Sequence, residues 1–485
     1  MVGIGLIHYY LWKRLVRDPL RPGWGRRVGT VVAVLLCVLA PLTLIGVRAG
    51  YFTWLSWPGY LWIAVMFYLL VVLAVLEIPR LLLMRLWADS RRTTAKSPAA
   101  TGDVPAPVRI ADETRLGTSE PQPVGAVSLT ADGTGPATAA DAEPVPAPTT
   151  GPAGTAAGTG AAAGTAGTAA GTAGTAAGTA GTAAGTGAAA GTADSTQTTP
   201  TGTADDAAEE RRGIERRLLL ARGTAIFAGL TAAGITGYGV KTATGAPQLD
   251  RVQLAMPKLP RAMDGTRLAV VSDIHIGPLT GVDHAQRIVQ VINSVNADLV
   301  CVVGDLVDGS VAELGRFAAP LAGIESRHGA FFVTGNHEYY SGAEEWVDEV
   351  ARLGIRPLRN ERVAINGLDL AGVNDLSGED HGDAPDFARA LGDRDTARPV
   401  VLMAHQPVAV VEAAPYGVDL QVSGHTHGGQ MAPFNLLVKL QQPVVSGLGE
   451  VDGVPVYVTN GAGFWGPPVR VGAPPQVTVI ELRVA

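Results

Sequence analysis

The chain has 485 residues and a formal net charge of −7, and charged residues make up 17% of it, against about 25% in a typical soluble protein. Glycine supplies 61 residues, so one globular body of ordinary composition is excluded. Because Cys37 and Cys301 are its only cysteines, the chain is neither a disulfide scaffold nor a cysteine-rich zinc module. Residues 246–485 carry 17 Lys and Arg against 28 Asp and Glu, an acidic balance that argues against nucleic-acid binding.

Residues 1–96 are predicted to be a membrane region. The uncharged runs at residues 28–47 and 55–76 are each long enough to cross about 30 Å of hydrocarbon as a helix. Trp and Tyr are frequent at the start of the second run, as expected at the level of lipid headgroups. Residues 1–12 are apolar but too short to cross alone, which predicts a partial helix or an interfacial segment. A further transmembrane helix is predicted at residues 218–240, which are rich in Ala, Gly and Thr.

Basic residues mark one side of these spans. Six Lys and Arg precede residue 28, five lie between residues 77 and 96, and five lie at residues 211–222, whereas only Arg48 separates the first two spans. The positive-inside rule predicts a multi-pass membrane protein whose C-terminal domain lies outside the cytoplasm. Arg216 and Arg217, followed by three leucines, allow a second interpretation as a twin-arginine export signal, but they follow two spans and do not stand at an N-terminus.

Residues 97–210 are predicted to be a disordered linker. From residue 151 to residue 193, every residue except Pro152 is Gly, Ala or Thr. Such a segment has no large side chain to bury, so nothing would offset the entropy lost by ordering its backbone.

Residues 250–485 are predicted to form one α/β domain. Short apolar runs that end in polar residues predict buried strands, and between the first two runs Ile288, Val291, Ile292 and Val295 have the spacing of a helix. The runs are LAVVSD, DLVCVVGD, GAFFVTGN, PVVLMAH, DLQVSGH and PVYVTN.

Polar motifs end the first five of these runs. They are Ser272-Asp-Ile-His, Gly304-Asp-Leu-Val-Asp-Gly, Gly335-Asn-His-Glu, His405 and Gly424-His-Thr-His-Gly-Gly-Gln. Each motif alone has an ordinary explanation as a turn or cap, but ligand chemistry in open α/β sheets collects at the carboxyl ends of strands, where all five stand. Carboxylates with imidazoles suit Mn, Fe or Zn, whereas pure oxygen sites suit Mg or Ca. Two ions would need a bridging carboxylate, for which Asp305 is the best candidate.

This series of motifs resembles the calcineurin-like metallophosphoesterase superfamily, and with the upstream apolar helices it looks like the membrane-associated bacterial branch. The resemblance covers residues 267 to about 430 and implies a four-layer α/β/β/α sandwich. It implies two divalent ions (Mn, Fe, Zn or Mg) bound by seven residues. One ion would be held by Asp273, His275, Asp305 and His427, and the other by Asp305, Asn336, His405 and His425.

The resemblance also implies roles for three neighbouring residues. His337 would lie beside the metals without binding them, and Asp308 and Glu338 would orient the ligands. The implied reaction is hydrolysis of a phosphate mono- or diester by metal-activated hydroxide, with His337 as the general acid. Because the chain is tethered to a membrane, we expect a lipid or envelope-linked phosphoester. A soluble cyclic or mononucleotide diester stays open, as does a different class of function, a non-catalytic membrane sensor or scaffold with a structural metal site.

A last segment, Gly461-Ala-Gly-Phe-Trp-Gly-Pro-Pro-Val-Arg470, is predicted to be a loop that returns towards the site. Its glycines would allow close approach to a ligand, Trp465 would form an apolar wall, and Arg470 would pair with a phosphate. The competing interpretation is a Pro- and Gly-rich loop with one solvated arginine.

Overall fold

The structure, a computed structural model, describes residues 2–47, 49–94 and 204–485. The predicted linker at residues 97–210 lies outside the described residues, except for residues 204–210, which begin a helix. Arg48 also lies outside them.

Four helices form the apolar region. They are α1 (Val2–Trp12), α2 (Trp24–Pro41), α3 (Ser56–Thr94) and α4 (Ala204–Ala243). A π-helical segment, Leu42–Val47, prolongs α2. By length and composition, three stretches of the described residues could cross a membrane, and they contain the three predicted spans: Trp24–Val47, Thr53–Leu82 and Arg211–Ala243. Helices α1, α3 and α4 share one apolar cluster, to which Leu11, Ala64 and Ala228 belong.

The chain passes from α4 into the α/β domain after only four residues. Strand β1 (Gln248–Met256) then pairs in parallel with the last strand, β12 (Gln476–Val484). Thr244, the first residue after α4, donates from its hydroxyl to the carbonyl oxygen of Val240, which continues the helical turn at the junction. The α/β domain is therefore joined to α4 by a very short segment.

The domain contains two six-stranded sheets. The first is built from β1, β12, β2 (Thr266–Val271), β3 (Leu299–Val303), β4 (Ala330–Val333) and β5 (Arg356–Pro357), in that order. The second contains β6 (Glu361–Ile365), β7 (Leu368–Gly372), β8 (Val400–Met403), β9 (Leu420–Ser423), β10 (Gly447–Val451) and β11 (Val454–Val458). Its order is β10-β11-β9-β8-β7-β6. Strands β2 to β5 run parallel, as do β7, β8, β9 and β11, so several carboxyl ends share one edge in each sheet.

Seven further helices complete the domain. They are α5 (Val282–Ser294), α6 (Val311–Ala318), α7 (Asn336–Ser341), α8 (Ala343–Arg352), α9 (Phe387–Leu391), α10 (Val410–Ala413) and α11 (Asn435–Val438). Helices α5, α6 and α8 cover the outer face of the first sheet, and α9 and α10 cover that of the second. Between the sheets lies a core that includes Leu268, Leu370 and Val422. The predicted four-layer α/β/β/α sandwich is confirmed.

The local predictions for this domain agree with the structure. All six apolar runs form strands, namely β2, β3, β4, β8, β9 and β11. The helical stripe forms the inner face of α5, where Ile288 and Ile292 are fully buried. Cys301 is buried in β3, and desolvation raises the pKa of its thiol to about 12, so it serves packing.

Candidate metal centre

The five polar motifs meet where β2, β3, β4, β8 and β9 end. Backbone hydrogen bonds join the loops beyond the strands: the amide of Asp273 donates to the carbonyl oxygen of Gly304, and that of Gly424 donates to His405. The motif residues are therefore held by main-chain contacts between strands that are distant in sequence. We call the seven predicted ligands the strand-end cluster: Asp273, His275, Asp305, Asn336, His405, His425 and His427.

Five members of the strand-end cluster have a left-handed backbone. Their φ angles lie between 48° and 68°, and they are Asp273, His275, Asp305, His425 and His427. This conformation costs a non-glycine residue roughly 1–2 kcal/mol, so it persists only where the surrounding structure imposes it. Such strain concentrates at functional sites, and here it falls on residues selected from the sequence for metal chemistry.

The motif glycines allow the strand ends to approach each other. A Cβ atom added at Gly304, whose φ is +76°, would stand 2.6 Å from His405 Nδ1 and 2.6 Å from the amide nitrogen of Gly335. No side chain fits there. The glycine before Asp305 is thus required for the convergence of the second, third and fourth motifs.

One group of donor atoms comes from the ends of β2 and β9. His427 Nε2 lies 3.1 Å from Asp273 Oδ1 and 3.0 Å from His275 Nε2. His275 Nε2 lies 3.9 Å from Asp273 Oδ1. Three potential ligand atoms therefore face a common point.

A second group gathers around Asp305. His405 Nε2 lies 3.3 Å from Asp305 Oδ2 and 3.3 Å from His425 Nδ1, which in turn lies 3.0 Å from Asn336 Oδ1. The same oxygen, Asp305 Oδ2, lies 3.8 Å from His275 Nε2 in the first group. Asp305 thus stands between the two groups, where a bridging carboxylate would be needed.

Two of the histidines have tautomers that suit metal ligation. His275 donates from Nδ1 to Asp308 Oδ1 (2.9 Å), and His405 donates from Nδ1 to the carbonyl oxygen of Val303 (2.8 Å). In the neutral ring, the Nε2 lone pair then points into the cluster. An oxygen partner on the outer nitrogen is the usual arrangement of a metal-binding histidine.

The charges of the cluster also suit bound cations. Asp273 and Asp305 are almost completely buried, and among the described residues their ion-pair partners within 4 Å are all histidines. Desolvation opposes ionisation of Asp273, but the neighbouring His427 and His405 outweigh it and hold the pKa of the carboxyl below its usual range. Desolvation lowers the pKa of His427 to about 4. Two buried carboxylates beside several imidazole rings form a donor set that fits divalent metal ions.

Asp308 and Glu338 support the cluster from outside. Asp308 Oδ1 accepts from Nδ1 of both His275 and His337, at 2.9 and 2.7 Å. Although burial lowers the pKa of His275, the charge of Asp308 outweighs it and raises that pKa to about 9. Glu338 accepts hydrogen bonds from the backbone amides of Asp305, Leu306 and Gly335, which fixes the loop that carries Asp305.

His337 stands at the edge of the cluster and is partly exposed. Its Nε2 lies 4.0 Å from Asp305 Oδ2, and its backbone amide donates to Asp305 Oδ1 at 2.9 Å. His275, Asp308 and His337 also form a third group of potential ligand atoms, so geometry alone does not separate a ligand from a neighbour here. The role predicted for His337 stays a prediction.

Arg470 does not face a substrate, and this corrects the expectation that it pairs with a phosphate. Its side chain is fully buried behind the cluster, where burial lowers its pKa to about 10. It donates to the carbonyl oxygens of His427, Asn460 and Gly463, and its Nη2 lies 3.0 Å from His427 Nδ1. With its donors occupied, Arg470 holds the backbone around His427.

The glycines of the same loop approach the protein and not a ligand. A Cβ atom at Gly461 would stand 2.5 Å from the Cβ atom of Asp273, and one at Gly463 would collide with the carbonyl oxygen of Ile274. Trp465 is 52% exposed and lies 6.3 Å from His337 between ring centroids, so it stands beside the cluster as an apolar surface. Its role as a wall for substrate stays a prediction.

Gln430 is a residue whose role sequence reasoning missed. It donates to the carbonyl oxygens of Trp465 (2.8 Å) and Pro467 (3.1 Å), and it accepts from the amide of Trp465 (3.0 Å). The last residue of the Gly-His-Thr-His-Gly-Gly-Gln motif thus fixes the loop that carries Trp465. The sequence feature that could have indicated this role is a polar side chain at a constrained position directly after the histidines.

Comparison with known proteins gives consistent results. A family model described as calcineurin-like phosphoesterase matches residues 266–429. A transmembrane protein with a metallophosphoesterase domain from Danio rerio is 36% identical over 54% of this chain and 63% of its own length. Uncharacterized metallophosphoesterases from Helicobacter pylori (strain J99 / ATCC 700824) and Aquifex aeolicus are 38% and 34% identical, each over 49% of this chain. The matches cover 64% of the Helicobacter protein and 92% of the Aquifex protein. The chain therefore spans less than two thirds of the first two relatives.

Proposed function

We propose that this chain, which belongs to the calcineurin-like metallophosphoesterase family, is a membrane-anchored hydrolase of a phosphate mono- or diester. The proposed hydrolase would use two divalent metal ions. The observation that carries the proposal is the position of Asp305. Its carboxyl oxygen faces donor groups on both sides, at 3.3 Å from His405 Nε2 and 3.8 Å from His275 Nε2.

The strand-end cluster divides into two ligand sets in this proposal. Asp273, His275 and His427 would hold one ion, Asn336, His405 and His425 would hold the other, and Asp305 would serve both. Bound divalent ions would supply a hydroxide nucleophile near neutral pH and would neutralise charge on the phosphoryl group. The buried position of the cluster strengthens these electrostatic effects, because little water is present to screen them.

The chain itself supplies the proton for the leaving group. His337 Nδ1 donates to Asp308 at 2.7 Å, which orients the ring so that Nε2 faces the cleft beside the cluster. A protonated Nε2 can donate to the departing oxygen of the ester, a contribution typically worth about 10² to 10⁴ in rate. Asp308 accepts from both His275 and His337, so it would couple the position of the proposed metal ligand His275 to that of the proposed general acid His337.

The proposed substrate is a lipid or envelope-linked phosphoester. Four residues connect the candidate span of α4 to β1, so the domain stays next to the membrane, where it would meet such substrates in two dimensions. The three groups of basic residues all flank one end of the three spans, and the domain follows the other end of the last span. By the positive-inside rule, this arrangement supports an extracytoplasmic domain.

A panel of phosphoesters tests the activity. The full chain, solubilised in detergent, would be loaded with Mn, Zn, Fe or Mg and assayed on aryl mono- and diesters and on phospholipids. We expect hydrolysis that a chelator abolishes and added metal restores. If metal-loaded protein hydrolyses none of these esters, the chain is instead a non-catalytic sensor or scaffold with a structural metal site.

A separate test addresses the location of the domain. Protease added to intact protoplasts should digest the α/β domain and leave segments on the cytoplasmic side intact. Protection of the domain until the membrane is broken would overturn the proposed orientation.

A further inference from the structure

A cavity of about 210 Å³ beside the strand-end cluster has two chemically different ends. At one end stand His275, Asp308 and His337. The other end is apolar, and part of it comes from outside the α/β domain: Leu44, Val47 and Tyr60 belong to the candidate membrane spans. The helix bundle therefore completes a wall of the cleft in which the chemistry is proposed to occur.

The loop after β11 closes the cavity from the opposite side. Phe464, Trp465 and Pro467 line it, and Gly466 lies over the ring of Tyr60, since a Cβ atom there would stand 3.6 Å from Cε1 of the tyrosine. Gln430 holds this loop through hydrogen bonds to Trp465 and Pro467. A loop tied to the histidine motif and side chains from two candidate spans thus line the same cavity.

The residues at the apolar end of the cavity indicate how deep this end would lie in a bilayer. Val47 is the last residue of the first candidate span, and Leu44, 46% exposed, lies about one turn deeper. The ends of spans mark the boundary between hydrocarbon and headgroups, which is where a lipid carries its phosphate. A lipid phosphate could therefore reach the cluster while its chain stays at the level of Leu44.

We infer that Leu44, Val47 and Tyr60, with Phe464 and Trp465, form an alkyl-binding subsite, so that the substrate is an amphiphilic phosphoester whose apolar part contacts the membrane helices. The inference rests on the proposed function and adds the substrate class and the residues that select it. The described lining residues include no Lys or Arg, so a nucleotide with several phosphates would find no basic partner in the cavity. A substrate with a single phosphoester and an apolar chain would match both ends of the cavity, the ester at the polar end and the chain at the apolar end.

Two soluble esters with the same leaving group test the subsite. The full chain in detergent, loaded with Mn, would be assayed on p-nitrophenyl ethyl phosphate and p-nitrophenyl octyl phosphate below their micellar concentrations. Each methylene buried from water should strengthen binding about fourfold, so we expect kcat/KM to favour the octyl ester at least tenfold. Leu44→Ser and Trp465→Ala should each lower this octyl-to-ethyl ratio at least threefold. Leu35→Ser is the matched control, because Leu35 lies on the same span, is 64% exposed and does not line the cavity.

The outcomes separate this inference from the proposed function. Hydrolysis of both esters with no octyl preference, or an equal loss on both esters in Leu44→Ser, would overturn the alkyl subsite and leave the hydrolase intact. No hydrolysis of either ester would overturn the hydrolase. The subsite is then tested by calorimetry with octylphosphonate and ethylphosphonate, where equal affinity would overturn it. If Leu44→Ser does not fold, Leu44→Trp, which fills the apolar end, should reduce octylphosphonate affinity more than ethylphosphonate affinity.

Discussion

The helix bundle has a partly buried carboxylate and the strand-end cluster has fully buried ones, and the two regions compensate these charges differently. In the bundle, Glu77 contacts Arg14 at 2.6 Å and Arg80 at 2.6 Å, and Tyr10 donates to it at 3.2 Å. In the cluster, the ion-pair partners of Asp273 and Asp305 within 4 Å are all imidazoles among the described residues. The first arrangement carries its own fixed cations and the second does not.

This difference separates a structural charge from a functional one. A carboxylate paired with guanidinium groups is compensated without any ligand, and removal of its partner mainly affects stability. A carboxylate whose ion-pair partners are imidazoles has no fixed cation beside it, so a bound metal ion can supply the charge that compensates it. The comparison therefore predicts that changes in the cluster affect metal content and hydrolysis, whereas changes in the bundle affect stability.

Removal of the shared carboxylate should have the largest effect. Asp305→Asn would deprive both ligand sets of an anionic member, and we expect loss of at least one metal ion and a fall in phosphodiester hydrolysis of at least about 10³-fold, since metal ions supply several kcal/mol to such reactions. Elemental analysis and a p-nitrophenyl phosphodiester assay measure the two effects. Asp298→Asn is the control, because Asp298 is a buried carboxylate outside the cluster. Full metal content in Asp305→Asn would contradict the bridging role.

The next largest effect is expected at His337, which belongs to the same region but is not a proposed ligand. His337→Ala should retain both metal ions and lower kcat by about 10² to 10⁴, because the leaving oxygen loses its proton donor. His381→Ala, at an exposed histidine outside the cleft, should match wild type. A wild-type rate with normal metal content in His337→Ala would remove the acid assignment.

A third prediction concerns His284, a buried histidine that has no ionic partner among the residues that the structure describes. Desolvation lowers its pKa to about 4, whereas the unfolded chain has a value near the usual 6.5. Below pH 6.5 the unfolded state binds a proton that the folded state does not, so the free energy of unfolding should fall as pH drops from 7 towards 4, by up to about 3 kcal/mol. Chemical denaturation at several pH values should show this loss reduced in His284→Gln and unchanged in His328→Gln. An identical pH dependence in wild type and His284→Gln would refute it.

The smallest effect is expected in the bundle. Glu77→Gln removes the nearer anionic partner of Arg14, whose side chain is 6% exposed, and leaves Asp18 at 3.6 Å. We expect a loss of about 1–2 kcal/mol because the pair is only partly buried. Thermal unfolding in detergent would show a lower midpoint, with metal content and hydrolysis unchanged. Glu215→Gln, an exposed change on α4, should have no effect. Loss of metal in Glu77→Gln would contradict the expectation that changes in the bundle affect stability and not metal content.

Local patterns were sufficient to predict six of the twelve strands of the domain and the convergence of the cluster. Each apolar run in the domain is a strand, and the polar residues after five of them meet because parallel strands present their carboxyl ends at one edge of a sheet. Burial on both faces makes these strands nearly continuous apolar runs, which short windows of sequence reveal. The family resemblance supplied the division of the ligands, which the distances support.

Long-range contacts were beyond local patterns. The pairing of β1 with β12 joins Gln248 to Gln476, and no periodicity within either strand indicates the other. Arg470 was expected at the surface because it follows a Pro- and Gly-rich loop, yet the carbonyl groups that surround it come from segments near His427 and Asn460. The approach of Leu44 and Tyr60 to the cleft depends on how two separate regions pack, which composition does not encode.

The four residues between α4 and β1 limit where the proposed hydrolase can act. Four extended residues span at most about 14 Å, so the domain stays within that distance of the end of the candidate span. The much longer segment at residues 95–203 lies between α3 and α4, upstream of the last candidate span, so its length adds nothing to the radius over which the proposed site can search. The proposed hydrolase would therefore act in cis, on molecules of its own leaflet, and not in trans on an opposing membrane.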